Sequence, residues 1–266
     1  MTLGNVFTGK SLPSSKKCLQ ALFYVQIAIA VLLFSGDFTM LFSSKKSPQE
    51  LVRINTPISP GDQQRPFTKK NYKQIKTNSE PSIPLPELDE KYHRLKFTIH
   101  ASDEYGKILL VSQAIASGDA KRFETYIDEL GYKPDIIALH SPGGLVLEAL
   151  ELGRLIRNRE FDTMVSSGGY CVSSCPYVLA SGKKRIVSSG AQVGVHQHYF
   201  DQPGYLPIFL AVDKIQSGQG KTMEYLKEMG IDPSIMIFGL TTPPDEIYIF
   251  LPEELSNYKL ATAITE

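Results

Sequence analysis

From residue 91 onward, short apolar or β-branched runs alternate with amphipathic stretches along the chain. Runs of this length are typical of strands, and apolar positions three and four apart are typical of helices that pack on a sheet. The predicted strands are KFTIHA, GKILLVS, DIIALHS, FDTMVSS, KRIVSS and AQVGVHQHY, and the predicted helices are GDAKRFETYIDELG, LVLEALELGRLIRN, SCPYVLASG and the region 206–228. This alternation indicates an α/β domain over residues 91–266.

The helix predicted over 145–158 has the clearest division into faces. Its apolar face is predicted to contain Leu145, Leu147, Leu150, Leu152, Leu155 and Ile156. The charged side chains of Glu148, Glu151, Arg154 and Arg157 lie largely on the other side. We therefore expect this helix to pack on the sheet through its leucines.

The first ninety residues follow a different pattern. Asp37 is the only charged residue between Leu19 and Phe42, and a run of this length crosses a hydrocarbon layer of about 30 Å. An uncleaved anchor is favoured over a cleaved signal peptide, because no clear pair of small residues follows the apolar run, and a buried core helix is the third alternative. Lysines flank both ends, so orientation is weakly marked, with a cytoplasmic N-terminus preferred.

The predicted organisation has four parts. A stub over 1–18 precedes the membrane segment at 19–42, and residues 43–90 form a linker rich in proline, lysine and serine before the domain at 91–266. A segment of this composition buries little apolar area, which predicts a flexible tether. The chain has 28 basic and 28 acidic residues, so no net charge attracts nucleic acid.

Two predicted turns between strand and helix carry candidate chemistry. The first is HSPGG at 140–144, where Gly143 and Gly144 allow a sharp turn that directs backbone N–H groups outward. The second is CVSSCP at 171–176, which offers Ser173 or Ser174 as a nucleophile. Because the two turns occupy equivalent places in successive units, we expect them to meet and to form an oxyanion hole beside a serine.

A serine nucleophile needs a base, and His196 follows in the strand AQVGVHQHY. Taken together, LHSPGGLVLEALELGRLI, CVSSCPYVLASGKKRIV and AQVGVHQ resemble the proteolytic subunit of Clp protease and its crotonase-like superfamily. The serine between cysteines and the membrane leader are most similar to Clp-protease-like periplasmic proteins. The resemblance runs from about Lys107 to Gln197, with a looser tail to Leu260.

The resemblance implies a spiral of strand-turn-helix units and a role for each matching position. Gly144 matches a glycine that donates its amide to the oxyanion, Ser173 matches the nucleophile, and the amide of Ser174 matches the second donor. His196 matches the base. Asp245 is the candidate for the acid that orients this histidine, with Glu246, or no acid, as the alternatives.

Other chemistries remain open at this level. Lys214 is an alternative base, as in serine–lysine peptidases of the same superfamily. Cys171, Cys175, His196 and His198 form an alternative zinc-binding set. A disulfide between the two cysteines is likewise undecided, because a spacing of four suits a helical turn, whose geometry closes a disulfide only with distortion.

The expected function is that of a serine hydrolase tethered to a membrane, with the domain on the periplasmic or extracytoplasmic side. A peptide or protein is the expected substrate, and no metal or cofactor is required. The sequence contains no Gly-x-x-x-x-Gly-Lys-Ser/Thr motif for nucleotide binding. A catalytically weak binding module is the second hypothesis and an acyl-CoA enzyme of crotonase type is the third. The resemblance also implies a homo-oligomer.

Overall fold

The structure is a computed structural model that describes residues 15–42, 60, 64–66, 83–88, 93–198 and 208–266. The chain divides into two compact units, Met1–Leu51 and Val52–Glu266. Most of the predicted stub, 1–14, and most of the predicted linker lie outside the described residues.

The first unit contains one helix, α1 (Ser15–Phe42), among its described residues. Its stretch Ser15–Leu32 is long and apolar enough to cross a membrane, and none of it is buried within the protein. Leu19 and Leu32 are both 74% exposed, so this helix is not the buried core helix that the third alternative required. The same length and composition fit a single membrane span or a signal sequence.

The second unit is a mixed α/β domain. The described strands are β1 (Gln64–Pro66), β2 (Lys96–Ser102), β3 (Gly106–Ser112), β4 (Ile136–His140), β5 (Thr163–Val165), β6 (Tyr170–Val172), β7 (Arg185–Ser188), β8 (Gln192–Val195), β9 (Glu246–Ile249) and β10 (Ala263–Thr265). The described helices are α2 (Asp119–Glu129), α3 (Val146–Asn158), α4 (Cys175–Ala180), α5 (Ile208–Glu228), α6 (Met236–Thr241) and α7 (Pro252–Asn257), with a 3₁₀ turn at Pro233–Ile235.

The strands form two sheets. The larger has the order β10-β7-β5-β4-β3-β2, in which β2 is antiparallel to β3 and the other neighbours are parallel. The smaller has the order β1-β9-β8-β6, in which β6 and β8 are parallel. Strand β4 is buried at all five positions, as expected for a parallel strand covered on both faces.

The helix that follows β4 differs from its predicted packing. On α3 the buried residues are Ala149, Leu150, Leu152, Gly153 and Ile156. Leu145 and Leu147 are 53% and 63% exposed, so placing these two leucines in the core was wrong. The buried face also includes two small residues, and a Cβ on one of them, Gly153, would overlap the hydroxyl of Tyr225 on α5.

Two contacts hold α4 between α3 and α5. The Tyr225 hydroxyl donates to the carbonyl oxygen of Tyr177 on α4 at 2.7 Å. Arg157, at the end of α3, donates to the carbonyl oxygens of Ser181 at 2.7 Å and Ala180 at 3.1 Å. A guanidinium at these carbonyls suits the negative end of α4. These contacts restrain α4 at Tyr177 and at its C-terminal end.

Residues 83–88 fall within the predicted linker and pack on the domain. Ile83 is 3% exposed and belongs to an apolar cluster with residues of β3, β4 and β5. Beside it, the Gln113 amide donates to the Glu87 carbonyl oxygen at 2.9 Å. His140, which is buried, contacts the Pro86 carbonyl oxygen through Nε2 at 3.1 Å. This segment therefore lies against the carboxyl end of β4.

Candidate active site

The first turn begins where β4 ends and where the two sheets approach each other. Ser141 and Cys171 form a parallel bridge, with Ser141 N–H donating to the Tyr170 carbonyl at 2.6 Å and Val172 N–H donating to the Ser141 carbonyl at 3.1 Å. The Ser141 hydroxyl donates to the Gln113 carbonyl at 2.7 Å and accepts the Gly143 N–H at 3.1 Å. These bonds fix the turn from both sides.

The glycines of this turn allow a close approach to the second turn. Gly143 has φ +87°, and a Cβ on it would stand 2.6 Å from the Ser173 Cβ and 2.7 Å from the Ser174 nitrogen. Gly144 has φ +154°, and a Cβ there would overlap the Ile115 carbonyl oxygen. Both positions therefore require glycine, and the space that Gly143 leaves open lies beside the Ser174 nitrogen.

The amides of Gly144 and Ser174 are the two predicted oxyanion donors. Gly144 is exposed and forms a parallel bridge with Ile115, in which the bonds are made by Gly143 and Leu145. In such a bridge the central residue turns its own N–H away from the partner. Neither amide donates a hydrogen bond within the part of the chain that the structure describes.

The second turn holds a serine in a strained backbone conformation. Ser173 has φ +63°, which is uncommon for a residue with a side chain, and its N–H donates to the Gly194 carbonyl at 2.9 Å. Its side chain is half-buried, whereas Ser174 is fully buried. Between the two candidate serines, Ser173 is therefore the one that a substrate can reach.

His196 lies directly after β8 and contacts this serine. Its Nε2 is 2.9 Å from the Ser173 Oγ. In the neutral tautomer with the proton on Nδ1, Nε2 accepts a hydrogen bond that the Ser173 hydroxyl donates. Burial, together with the nearby His198, lowers the pKa of His196 to about 4. The ring is therefore neutral at physiological pH, which is the form that a general base needs.

A pocket of about 270 Å³ opens beside His196. Its walls come from α4, the segment after β8, α5 and α6: Tyr177, His196, Gln197, His198, Ile215, Gln219, Met236, Gly239 and Leu240. The Tyr177 hydroxyl is 2.8 Å from the Nε2 of His198, and the two rings meet edge to face. Tyr177 was not among the predicted site residues, because nothing in a short apolar helix distinguishes a tyrosine that lines a pocket.

The two cysteines that flank the serine are joined. Cys171, on β6, and Cys175, at the start of α4, form a disulfide with a Cα–Cα distance of 5.1 Å. The zinc-binding alternative is therefore wrong, because neither sulfur is available as a thiolate. Among the described residues, no group of three or more histidine, cysteine and acidic side chains is arranged to hold a metal ion.

The remaining predicted residues lie in different surroundings. Asp245 is exposed in the turn before β9, and Glu246 is 4% exposed at the start of that strand, which pairs with β8. Lys214 is exposed on α5. A lysine becomes a base for a serine through desolvation, and the exposure of Lys214 removes that cause. The structure thus brings Ser173, His196 and the glycine turn together, and leaves Lys214 in solvent.

Comparison with known proteins does not assign this chain to a family. No protein-family model matches the chain, and no curated protein matches it significantly.

Proposed function

We propose that this chain is a membrane-tethered serine hydrolase that acts on peptides. The observation that carries the proposal is the 2.9 Å contact between the Ser173 hydroxyl and the Nε2 of His196, with Ser173 held at φ +63° between a strand and a helix. A serine is a weak nucleophile without an adjacent base, and a strained turn is a common way to expose one.

The proposed reaction has two stages. Ser173 Oγ attacks the substrate carbonyl carbon while His196 Nε2 takes the hydroxyl proton, and the carbonyl oxygen becomes an oxyanion near the amides of Gly144 and Ser174. His196 then gives the proton to the leaving amine, which departs and leaves an acyl group on Ser173. A water molecule, deprotonated by the same histidine, hydrolyses this ester and restores the serine.

The fold supports the same proposal at a coarser level. Parallel strands β3, β4, β5 and β7 alternate with α2, α3 and α4, which suits the spiral of the Clp protease and crotonase superfamily. We also propose that α1 anchors the chain in a membrane and that the domain lies in an extracytoplasmic compartment. The disulfide supports that location, because such bonds persist in oxidising compartments. Association into a homo-oligomer remains part of the proposal.

A fluorophosphonate that phosphorylates activated serines tests the function on the full chain in detergent. We expect wild type to be labelled, Ser173→Ala to be unlabelled and His196→Ala to be labelled about a hundredfold to ten-thousandfold more slowly. Ser189→Ala is the matched control, because Ser189 is an exposed serine in the turn before β8. A folded wild type that does not react, or a Ser173→Ala protein that still does, would contradict the proposal.

The same assay separates the two candidate acids. Glu246 is buried beside the β8 pairing, whereas water competes for the exposed Asp245. We therefore propose Glu246 as the acid that acts through His196, and expect Glu246→Gln to slow labelling more than Asp245→Asn. If Asp245→Asn slows labelling more than Glu246→Gln, Asp245 is the acid. If neither substitution changes the labelling rate, Ser173 and His196 work without an acid.

A catalytically weak binding module is the second candidate. The low pKa of His196 favours it, because a weak base takes a proton from serine less readily. In that case the folded protein would bind peptides saturably, without fluorophosphonate labelling and without peptide cleavage.

A further inference from the structure

The disulfide and the proposed nucleophile share one short segment of chain. Cys171 is the second residue of β6 and Cys175 is the first residue of α4, so the bond encloses Val172, Ser173 and Ser174. This closed loop contains both the serine and the amide of the second oxyanion donor. Both sulfurs are buried, with Cys171 0% and Cys175 1% exposed.

The strand side of this turn is well restrained by hydrogen bonds. Val172 N–H donates to the Ser141 carbonyl at 3.1 Å, and Ser173 N–H donates to the Gly194 carbonyl at 2.9 Å. Strand β6 also pairs with β8 along its length. These contacts fix the backbone up to Ser173.

The helix side lacks the usual restraint. Ser174 is the N-cap of α4, yet its hydroxyl makes no capping bond, and this buried oxygen has no hydrogen-bond partner among the residues that the structure describes. A serine at this position normally closes the turn by accepting an N–H of the first helical turn. Here the covalent bond from Cys175 to Cys171 takes the place of that cap and ties the start of α4 back to β6.

The backbone of Ser173 needs such a restraint. A residue with a side chain stays at positive φ only where its surroundings enforce it. Released on the helix side, Ser173 can relax to an ordinary backbone conformation, which carries its Oγ away from His196. The geometry points to the Cys171–Cys175 disulfide as the positioning element of the nucleophile, so that the site is reactive in its oxidised form and weakly reactive when reduced.

This inference rests on the proposed function, and the assay uses the full chain in detergent with a fluorophosphonate. Dithiothreitol breaks the S–S bond by giving two electrons and two protons to Cys171 and Cys175, and closes its own cyclic disulfide. Thiol alkylation and mass spectrometry count the reduced cysteines. Circular dichroism and the thermal midpoint confirm that the protein remains folded at the assay temperature.

We expect reduction to lower the maximal labelling rate about tenfold or more, with little change in the fluorophosphonate concentration that gives half of that rate. Loss of stability alone would not lower the maximal rate while leaving the half-saturating fluorophosphonate concentration unchanged. Reoxidation with glutathione disulfide should restore the rate. The variant with Cys171→Ala and Cys175→Ala should match the reduced protein and not respond to glutathione disulfide. Cys18→Ser is the control, because it removes the remaining, exposed thiol and should behave as wild type.

The outcomes separate the two proposals. If the oxidised wild type does not react, the proposed function fails and this inference fails with it. If the oxidised and reduced proteins are both folded and react at the same rate, the hydrolase stands and the positioning role is overturned. Unfolding on reduction would also overturn it, since the disulfide would then support the whole domain and not the serine in particular.

Discussion

Replacing Gly143 by alanine tests whether contact between the two turns controls the serine. The new Cβ would lie 2.6 Å from the Ser173 Cβ and from the Val172 carbonyl oxygen, and 2.7 Å from the Ser174 nitrogen. The van der Waals contact distance between such atoms is about 3.5 Å, so the two turns must separate by about 1 Å. The neighbouring atoms are mostly backbone and cannot rotate away.

The magnitude follows from that displacement. A shift of about 1 Å in a reacting group costs about a hundredfold in rate, which corresponds to about 2.7 kcal/mol in activation free energy. We therefore expect Gly143→Ala to lower the rate of fluorophosphonate labelling about a hundredfold. The effect should fall on the reactivity of Ser173, because the pocket beside His196 is lined by other residues.

Gly131→Ala is the matched control for backbone strain. Gly131 has φ +70°, close to that of Gly143, but a Cβ there meets nothing within 4 Å. Both variants carry the cost of alanine at positive φ, about 1 kcal/mol, and only Gly143→Ala adds the overlap. Thermal unfolding measures the cost of alanine at positive φ, and the labelling rate measures the effect of the overlap on Ser173. If the two variants are labelled equally fast, the close approach of the turns does not control the nucleophile.

Two further predictions concern pH. Because burial holds the pKa of His196 near 4, labelling should stay constant from about pH 8 to pH 5 and fall only below that; an acid limb near pH 6.5 would show a solvated histidine. Burial also lowers the pKa of His140 to about 4, so the unfolded chain binds its proton more tightly than the folded chain. Stability is then full above about pH 6.5 and falls toward pH 4, by about 3 kcal/mol for this group. His140→Gln should flatten the fall in thermal midpoint, and an unchanged slope would contradict the assignment.

Much of the element order could be predicted because the elements carry strong local patterns. The strands around Leu109 and Ile137 and the helix around Phe123 lie within the predicted segments. The meeting of the two turns also followed from local order, because each turn joins a strand to a helix. The contact between Ser173 and His196 depends on β8 lying beside β6, and this pairing is not written in the local sequence of either strand.

The parts that were missed depend on contacts between distant segments. Strand β6 is three residues long and follows two glycines, so its own sequence gives little strand signal. It becomes a strand because β8 and Ser141 supply its hydrogen bonds. The face of α3 that packs on the domain differs from its prediction for a related reason: Gly153 is buried against Tyr225 of α5, which leaves no room for a Cβ at that position.

The location of the site follows from the same long-range contacts. Ser141 directly follows β4 of the six-stranded sheet and Cys171 lies on β6 of the four-stranded sheet, and the bridge between the two residues joins the sheets. The serine at this junction donates its N–H to the Gly194 carbonyl, lies against the glycine turn and stands within the loop that the disulfide closes. No single restraint of this kind makes a nucleophile, because glycines, capping serines and disulfides are ordinary structural features. Their convergence on one residue with positive φ, next to a buried neutral histidine, is the arrangement expected where backbone strain serves chemistry.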